Sequence, residues 1–244
     1  MNLARLVKIA DEPICNLSYW MNRARSISSL ELVSGMRHLS SSLGTIVDVG
    51  ANKGQFTVAS RLMFPEAHIY SYEPHPSAFK KLAENVKQLP NIEIFNIGLG
   101  SEERQLDFFL SGYDLASSFH RPSEIHTFHF PEAIIRERVK VNVRRLDKVI
   151  QEKLRRPSLL KLDVQGFELE VVKGSTQILS QIDFILVEMS FQPMYEREPL
   201  FDEVNDFLRS KGFSITTLLG TLLGRGGTIL QIDALYALKG LIDR

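Results

Sequence analysis

Thr45-Ile46-Val47-Asp48-Val49-Gly50-Ala51-Asn52-Lys53-Gly54-Gln55-Phe56 reads as a short buried strand, a turn bracketed by two glycines, and the start of a helix. The β-branched run favours an extended, buried strand. Glycine directly after it lets backbone approach a ligand where a Cβ would obstruct. Tyr72-Glu73-Pro74 then ends the next strand on an acid, at roughly the 30-residue interval of a βαβ nucleotide-binding unit.

Working outward, strands over 45–50, 67–72 and 92–97 alternate with helices over 55–63 and 76–88. Pro76 falls in the first turn of its helix, where a missing N–H costs nothing. This βαβαβ order predicts a parallel sheet with right-handed crossovers. Residues 105–110 and 139–143 alternate apolar and polar side chains, as half-buried strands do, and 111–131 between them reads as a long loop. Regular alternation resumes with a helix over 146–154, a strand over 159–164, a helix over 168–180 and a strand over 184–188. A helix over 201–211 stops at Gly212, followed by strands over 213–218 and 229–238. Residues 1–43 read as an N-terminal helical extension, with a weak apolar stripe at Leu3, Leu6, Val7 and Ile9 and an aromatic segment at Tyr19, Trp20 and Met21. Residues 44–244 read as one α/β domain.

The chain has 244 residues, 44% of them hydrophobic and 24% charged, ordinary values for a globular domain with a sizeable core. Lys+Arg and Asp+Glu both number 29, so nothing in the net charge favours a nucleic-acid partner. Cys15 is the only cysteine, so neither an intrachain disulfide nor a cysteine metal cluster can form. The N-terminus shows no basic segment followed by an apolar run. The most apolar tract, 218–230, is broken by Gly220, Gly224 and Arg225 and lacks the roughly 20 apolar residues of a membrane span. A soluble, cytoplasmic protein without a transmembrane segment is the expectation.

The turn itself speaks about the cofactor. A dinucleotide fingerprint would place glycines at 50, 52 and 55, whereas the chain has Gly50, Asn52 and Gln55. Asp48 would repel a pyrophosphate and suits a cationic group. Glu73 is placed to accept the hydroxyls of a ribose, and the turn between Gly50 and Gly54 is expected to offer free N–H groups at the helix start. S-adenosylmethionine has an ammonium, a sulfonium and a ribose, and no phosphate, so Asp48 and Glu73 form an anionic pair suited to it. As ordinary structure, Asp48 would cap the helix and Glu73 would sit in a turn.

A second constellation is Leu160-Lys161-Leu162-Asp163-Val164-Gln165-Gly166-Phe167-Glu168. Strand periodicity puts Lys161 and Asp163 on one face, with Asp163 at the carboxyl end where open α/β sheets hold ligands. A lysine and an aspartate within an apolar strand are costly unless paired or used. A buried Lys161–Asp163 or Lys161–Glu188 ion pair is the structural alternative. Ile185-Leu186-Val187-Glu188 brings another acid to the same rim.

With these residues in place the chain resembles the FkbM-type S-adenosylmethionine-dependent methyltransferases. The resemblance covers about 45–238. It rests on 47–54, on Tyr72-Glu73-Pro74 followed by Asn85, and on Ser117-Ser118. It continues through Arg145-Leu146-Asp147, 161–168 with Lys173-Gly174, Leu186-Val187-Glu188, and Asp233-Ala234-Leu235-Tyr236. It implies the class I methyltransferase Rossmann-like sheet, seven-stranded and mostly parallel, with the last strand antiparallel. By the same likeness Asp48, Gly50, Asn52 and Gly54 line the methionine end of the cofactor and Glu73 binds the ribose. Asn96 and Gly98 then sit near the adenine, although no acid follows the third strand.

The resemblance further implies O-methylation of a sugar, in a glycan or glycolipid, or of a natural-product hydroxyl, with a small-molecule or glycan acceptor as the partner. A hydroxyl must lose its proton near the transition state. Asp163 is the first candidate base, Glu188 the alternative base or metal partner, and Lys161 the group that orients one of them. His120, His126 and His129 are further candidates, although their setting in the 111–131 segment favours solvated or packing rings over a metal site, and no metal is predicted. The alternative function is a non-catalytic binding module that keeps the fold. The acceptor, the oligomeric state and the role of the extension are not encoded in any motif.

Overall fold

The computed structural model describes residues 19, 21–36, 42–112 and 116–241. The stripe at Leu3, Leu6, Val7 and Ile9, and Trp20, lie outside the described residues.

Helix α1 (Ile27–Gly35), capped by the Ser26 side chain, precedes β1 (Thr45–Val49), α2 (Gln55–Met63), β2 (His68–Tyr72), α3 (Pro76–Val86) and β3 (Ile92–Phe95). Every residue of β1 is buried, as in a parallel strand covered on both faces. After β4 (Gly98–Leu99), β5 (Arg104–Ser111), α4 (Glu124–His129), β6 (Ile135–Arg144) and α5 (Leu146–Val149), the main sheet resumes with β7 (Ser158–Leu162). Then follow α6 (Glu168–Lys173), a 3₁₀ turn at Leu179–Gln181, β8 (Phe184–Ser190), α7 (Phe201–Ser210), β9 (Phe213–Leu223) and β10 (Ile229–Leu238).

Seven strands form one sheet in the order β3-β2-β1-β7-β8-β10-β9. Only β10 runs against the rest, since it pairs antiparallel with both β8 and β9. This is the seven-stranded, mostly parallel class I methyltransferase sheet with its last strand reversed. Two apolar layers sandwich it. Val47, Leu160, Ile185 and Val187 pack with Leu146, Val172 and Leu208 on one face. Ile46, Leu159 and Leu186 pack with Leu30, Val33, Ala59 and Leu82 on the other. The alternation of neighbouring residues between the two layers is the period of a strand.

Three expectations are corrected. The helix over 146–154 ends at Val149, because Ile150 turns extended (ψ 104°) and the chain at Leu154 is drawn into the core, its N–H donating to the Gln181 side chain. The helix over 168–180 ends at Lys173, because Gly174 passes so close to the neighbouring loop that a Cβ there would lie 1.9 Å from the Gly100 carbonyl oxygen. The 111–131 segment is not all loop. Ser118 bridges to Phe109, and α4 starts at Ser123, whose hydroxyl accepts the His126 N–H. Strands β4, β6 and β5 form a separate three-stranded sheet, which with α4 contributes to the covering of the main sheet's carboxyl edge.

Candidate functional site

A cavity of about 290 Å³ opens at that edge. Its lining comes from the ends of β1, β2, β7 and β8, from the small sheet, from α4 and from β10. Carboxyl ends of a doubly wound sheet are the usual ligand position because the diverging loops leave a crevice there.

On the β1–β2 side the glycine turn sets the shape. Gly50 has φ +77°, and a Cβ on it would lie 1.9 Å from the Asp163 carbonyl oxygen, so only glycine allows the ends of β1 and β7 to meet there. The turn's N–H groups are engaged within the protein, which corrects the expectation that they are free. Those of Gly50 and Ala51 donate to the Tyr72 carbonyl at 3.0 Å each, and that of Gly54 to the Ala51 carbonyl. The Asn52 N–H donates to Glu73 Oε2 at 2.7 Å, and the Lys53 N–H to Gln55. Asn85 ties the turn down through its amide on the Lys53 carbonyl.

Glu73 lines the cavity with each carboxylate oxygen accepting one backbone N–H, from Asn52 and from His75. Burial pushes its pKa up to about 7, against the lowering effect of those two donors. Asn96 is not among the lining residues; its amide braces the Glu73 and Pro74 carbonyls at 2.8 and 3.2 Å. Gly98 does line the cavity, under Phe119, whose Cζ would be 2.6 Å from a Cβ there.

Asp48 lies one layer beneath. It is fully buried, with Oδ2 accepting the Thr57 hydroxyl at 2.7 Å and Oδ1 3.1 Å from Lys161 Nζ. The expectation that Asp48 faces a cationic ligand is therefore corrected: its charge is matched by Lys161, its register partner on the adjacent strand. Lys161 also donates to the Gly50 carbonyl at 3.1 Å and stands 3.7 Å from Asp163 Oδ2. Burial alone would lower the ammonium's pKa, but Asp48 and Asp163 outweigh it and hold it above the ordinary value. Lys161 is thus a buried joint between β1 and β7, its main partner being Asp48 rather than Asp163 or Glu188.

On the β7–β8–β10 side, Asp163 is 43% exposed and Glu188 is half-buried. Both are gripped by one side chain. Gln165 Nε2 donates to Asp163 Oδ1 at 2.8 Å and to Glu188 Oε2 at 3.0 Å. Its Oε1 accepts the Tyr195 hydroxyl at 2.7 Å, which fixes the orientation of the amide. Gln165 is held in the left-handed region (φ 57°), unusual outside glycine, with its carbonyl accepting the Ser118 hydroxyl at 2.6 Å. A second amide, Gln231, also donates to Glu188 Oε2, at 3.1 Å. Burial, then the Asp163 and Asp233 carboxylates, push the Glu188 pKa well up. Burial and Asp163 likewise raise that of Asp233, to about 6.

The histidines part company. His126 is buried, lines the cavity, and packs on Phe130 and Tyr195. His120 packs tilted against Phe167, and His129 accepts the Arg225 N–H. Among the described residues no three His, Cys, Asp or Glu side chains are grouped to hold a metal. Sequence reasoning gave no role to Gln165, Tyr195, Gln231 or His75. Gln165 lay inside a quoted motif, but the others are brought in by separate elements and carry no local signal.

The family description Methyltransferase FkbM domain matches residues 48–215. Over 173 residues the chain is 28% identical to the 2-O-methyltransferase NoeI of Sinorhizobium fredii, covering 68% of this chain and 71% of that protein. Over 144 residues it is 27% identical to the hexuronic acid methyltransferase AglP of Haloferax volcanii, covering 58% and 54% respectively. Among solved structures, magnesium protoporphyrin IX methyltransferase (ChlM) from Synechocystis PCC 6803 with bound SAM superposes with a TM-score of 0.49 at 11% identity, covering 87% of this chain and 77% of that one.

Proposed function

The chain belongs to the FkbM methyltransferase family, and we propose that it is an S-adenosylmethionine-dependent O-methyltransferase acting on a sugar or similar hydroxylated acceptor. The observation that carries this reading is the meeting, in one cavity, of a carboxylate held by two backbone N–H groups, Glu73, with a pair of amide-held carboxylates, Asp163 and Glu188.

The donor set suits that cofactor. Phosphates are bound by convergent free N–H groups, and here the turn's N–H groups are engaged by Tyr72, Glu73 and Ala51. Glu73 keeps lone pairs for two ribose hydroxyls, because each oxygen accepts one backbone N–H. The turn of Gly50, Asn52 and Gly54 would hold the methionine end, and the wall of Ile97, Gly98 and Leu99 would take the adenine. Asp48 would act from below, through Lys161, by fixing the turn's carbonyls. The cofactor supplies a methyl group already activated by the sulfonium.

What remains for the protein is to align the acceptor oxygen, keep water out and take a proton. Asp163, the more exposed acid, is assigned the proton from the acceptor hydroxyl, with Lys161 at 3.7 Å placed to orient it. Glu188, held by two amides, is assigned a hydrogen-bonding role toward the acceptor. Phe108 and Phe119, stacked edge to face at 4.9 Å, close the cofactor side against water. A binding module without turnover would lock both acids into ion pairs beneath a closed surface, whereas here both line an open cavity.

The test has two steps. Titration calorimetry should show S-adenosylhomocysteine binding, and its absence sinks the reading. Asp163→Asn should then keep that binding and abolish methyl transfer to a panel of sugars and hydroxylated small molecules.

A further inference from the structure

The two ends of the cavity face different chemistry. The β1–β2 end carries Glu73 and the glycine turn. The β7–β8–β10 end carries the carboxylates Asp163 and Glu188, the amides of Gln165 and Gln231, and the imidazole of His126, with Met194 and Phe130 as apolar wall. Resting on the function proposed above, we infer that this second end is the acceptor subsite, that it takes an uncharged hydroxylated ring, and that His126 is one of its hydrogen-bonding partners.

His126 carries the inference. The side chain is 5% exposed, and its Nδ1 is buried without a hydrogen-bond partner. Buried polar atoms are otherwise nearly always satisfied, and the exceptions tend to mark a functional position. The ring is not loose. It packs at 5.1 Å on Tyr195 and 5.3 Å on Phe130, and its own N–H in the backbone is capped by Ser123. Burial lowers its pKa, so the imidazole is neutral and offers one donor and one acceptor, the pattern that a sugar hydroxyl completes.

The charge of the subsite selects within that chemistry. Histidines and Tyr72 aside, the ionisable side chains lining the cavity in the described residues are carboxylates: Glu73, Asp163 and Glu188. Asp233 stands behind Glu188 as its register partner. Lys161, the cation on that side, is buried and engaged by Asp48. A carboxylate on the acceptor would meet these acids with the nearby Lys161 charge already shared between Asp48 and Asp163. A neutral ring would instead offer hydroxyls to the two acids and the two amides, and lay its C–H face on Met194 and Phe130.

Methyl pyranosides and their C6 uronates, the same rings differing by one charge, separate these cases. With the protein loaded with S-adenosylhomocysteine, at least one neutral pyranoside should bind by ligand-observed NMR, and its uronate should bind on the order of 100-fold more weakly. His126→Phe, which keeps the ring packing, should weaken the neutral ligand about tenfold and leave the S-adenosylhomocysteine affinity unchanged. His126→Asn, which restores a polar atom near the Nδ1 position, should recover part of the loss. Equal or tighter binding of the uronates, no binding by any neutral ring, or an unaffected His126→Phe protein overturns the inference. Failure to bind S-adenosylhomocysteine at all removes instead the functional reading beneath it.

Discussion

The two sides of the cavity hold their acids by different means. Glu73 is held by backbone: two main-chain N–H groups, both within the strand-turn units that the sequence spells out. Asp163 and Glu188 are held by side chains, the Gln165 and Gln231 amides, with Tyr195 fixing one of them from a third segment. A backbone-held group is set by the fold and survives most substitutions nearby. A side-chain-held group depends on particular residues, each of which can be exchanged without unfolding the sheet. The first arrangement suits a cofactor that does not vary, and the second an acceptor site that can diverge.

The largest effect is expected where the two sides are joined. Asp48→Ala leaves the buried Lys161 ammonium with only the more distant, half-exposed Asp163 as counter-ion, and removal of one member of a buried pair costs about 3–5 kcal/mol. For a domain of this size the melting temperature should fall by roughly 10 °C or more by calorimetry. A variant that melts like the wild type would show that the Asp48–Lys161 pair does not hold β1 to β7. Next comes Glu73→Ala. Two hydrogen bonds to a charged acceptor are worth about 3–6 kcal/mol, so S-adenosylhomocysteine should bind at least roughly 100-fold more weakly. The melting temperature of the ligand-free protein should change little, because removal of a desolvated acid offsets the loss of the acceptor for two backbone N–H groups.

Titration distinguishes stability from binding in the same protein. Burial raises the pKa values of Glu73, Glu168 and Glu198 to about 7, above the value of about 4.3 for an unfolded glutamate. Over that window the folded state binds more protons than the unfolded one. These three acids therefore make stability fall as pH rises from about 4.5 to 7 and then level off. Cofactor affinity should run the other way. On the proposed reading the ribose hydroxyls need the ionised Glu73, so S-adenosylhomocysteine binding should weaken by up to about tenfold per unit as pH drops below 7. Parallel slopes for melting temperature and affinity would rule out Glu73 as the ribose acceptor.

How much of this was legible follows the same division. The βαβαβ half was readable because apolar period, glycine and proline are local signals, and Gly50 and Glu73 declared themselves within it. Asp48 and Lys161 were picked out but not paired, because their contact depends on the register between β1 and β7, which no single strand encodes. Some residues that carried the family resemblance prove architectural. Arg145 grips Asp147 through two nitrogens and the Ser101 carbonyl through a third, and Gly174 lets the chain pass Gly100. Asn85 anchors the glycine turn. The β7–β8–β10 side was the least readable, since its geometry is assembled from the 116–130 region, the β8 end, the loop at Met194–Tyr195 and β10.

Gln165→Ala should give the smallest and most diagnostic change. The variant loses no cofactor contact, so the S-adenosylhomocysteine Kd should stay within about threefold of the wild type. It frees Asp163 and Glu188 from their shared donor, so kcat should fall roughly tenfold, the scale of one hydrogen bond to a charged group. Gln165 also donates to Glu188, whose pKa burial already pushes well up; removing that donor raises it further, so the acidic limb of the pH–rate profile should move to higher pH. Tyr195→Phe should shift the limb in the same direction by less, because it only loosens the amide's orientation. A purely structural role for Gln165 would lower kcat and melting temperature together and leave the limb where it was. Only a moved limb ties the amide to the proton of the acceptor hydroxyl.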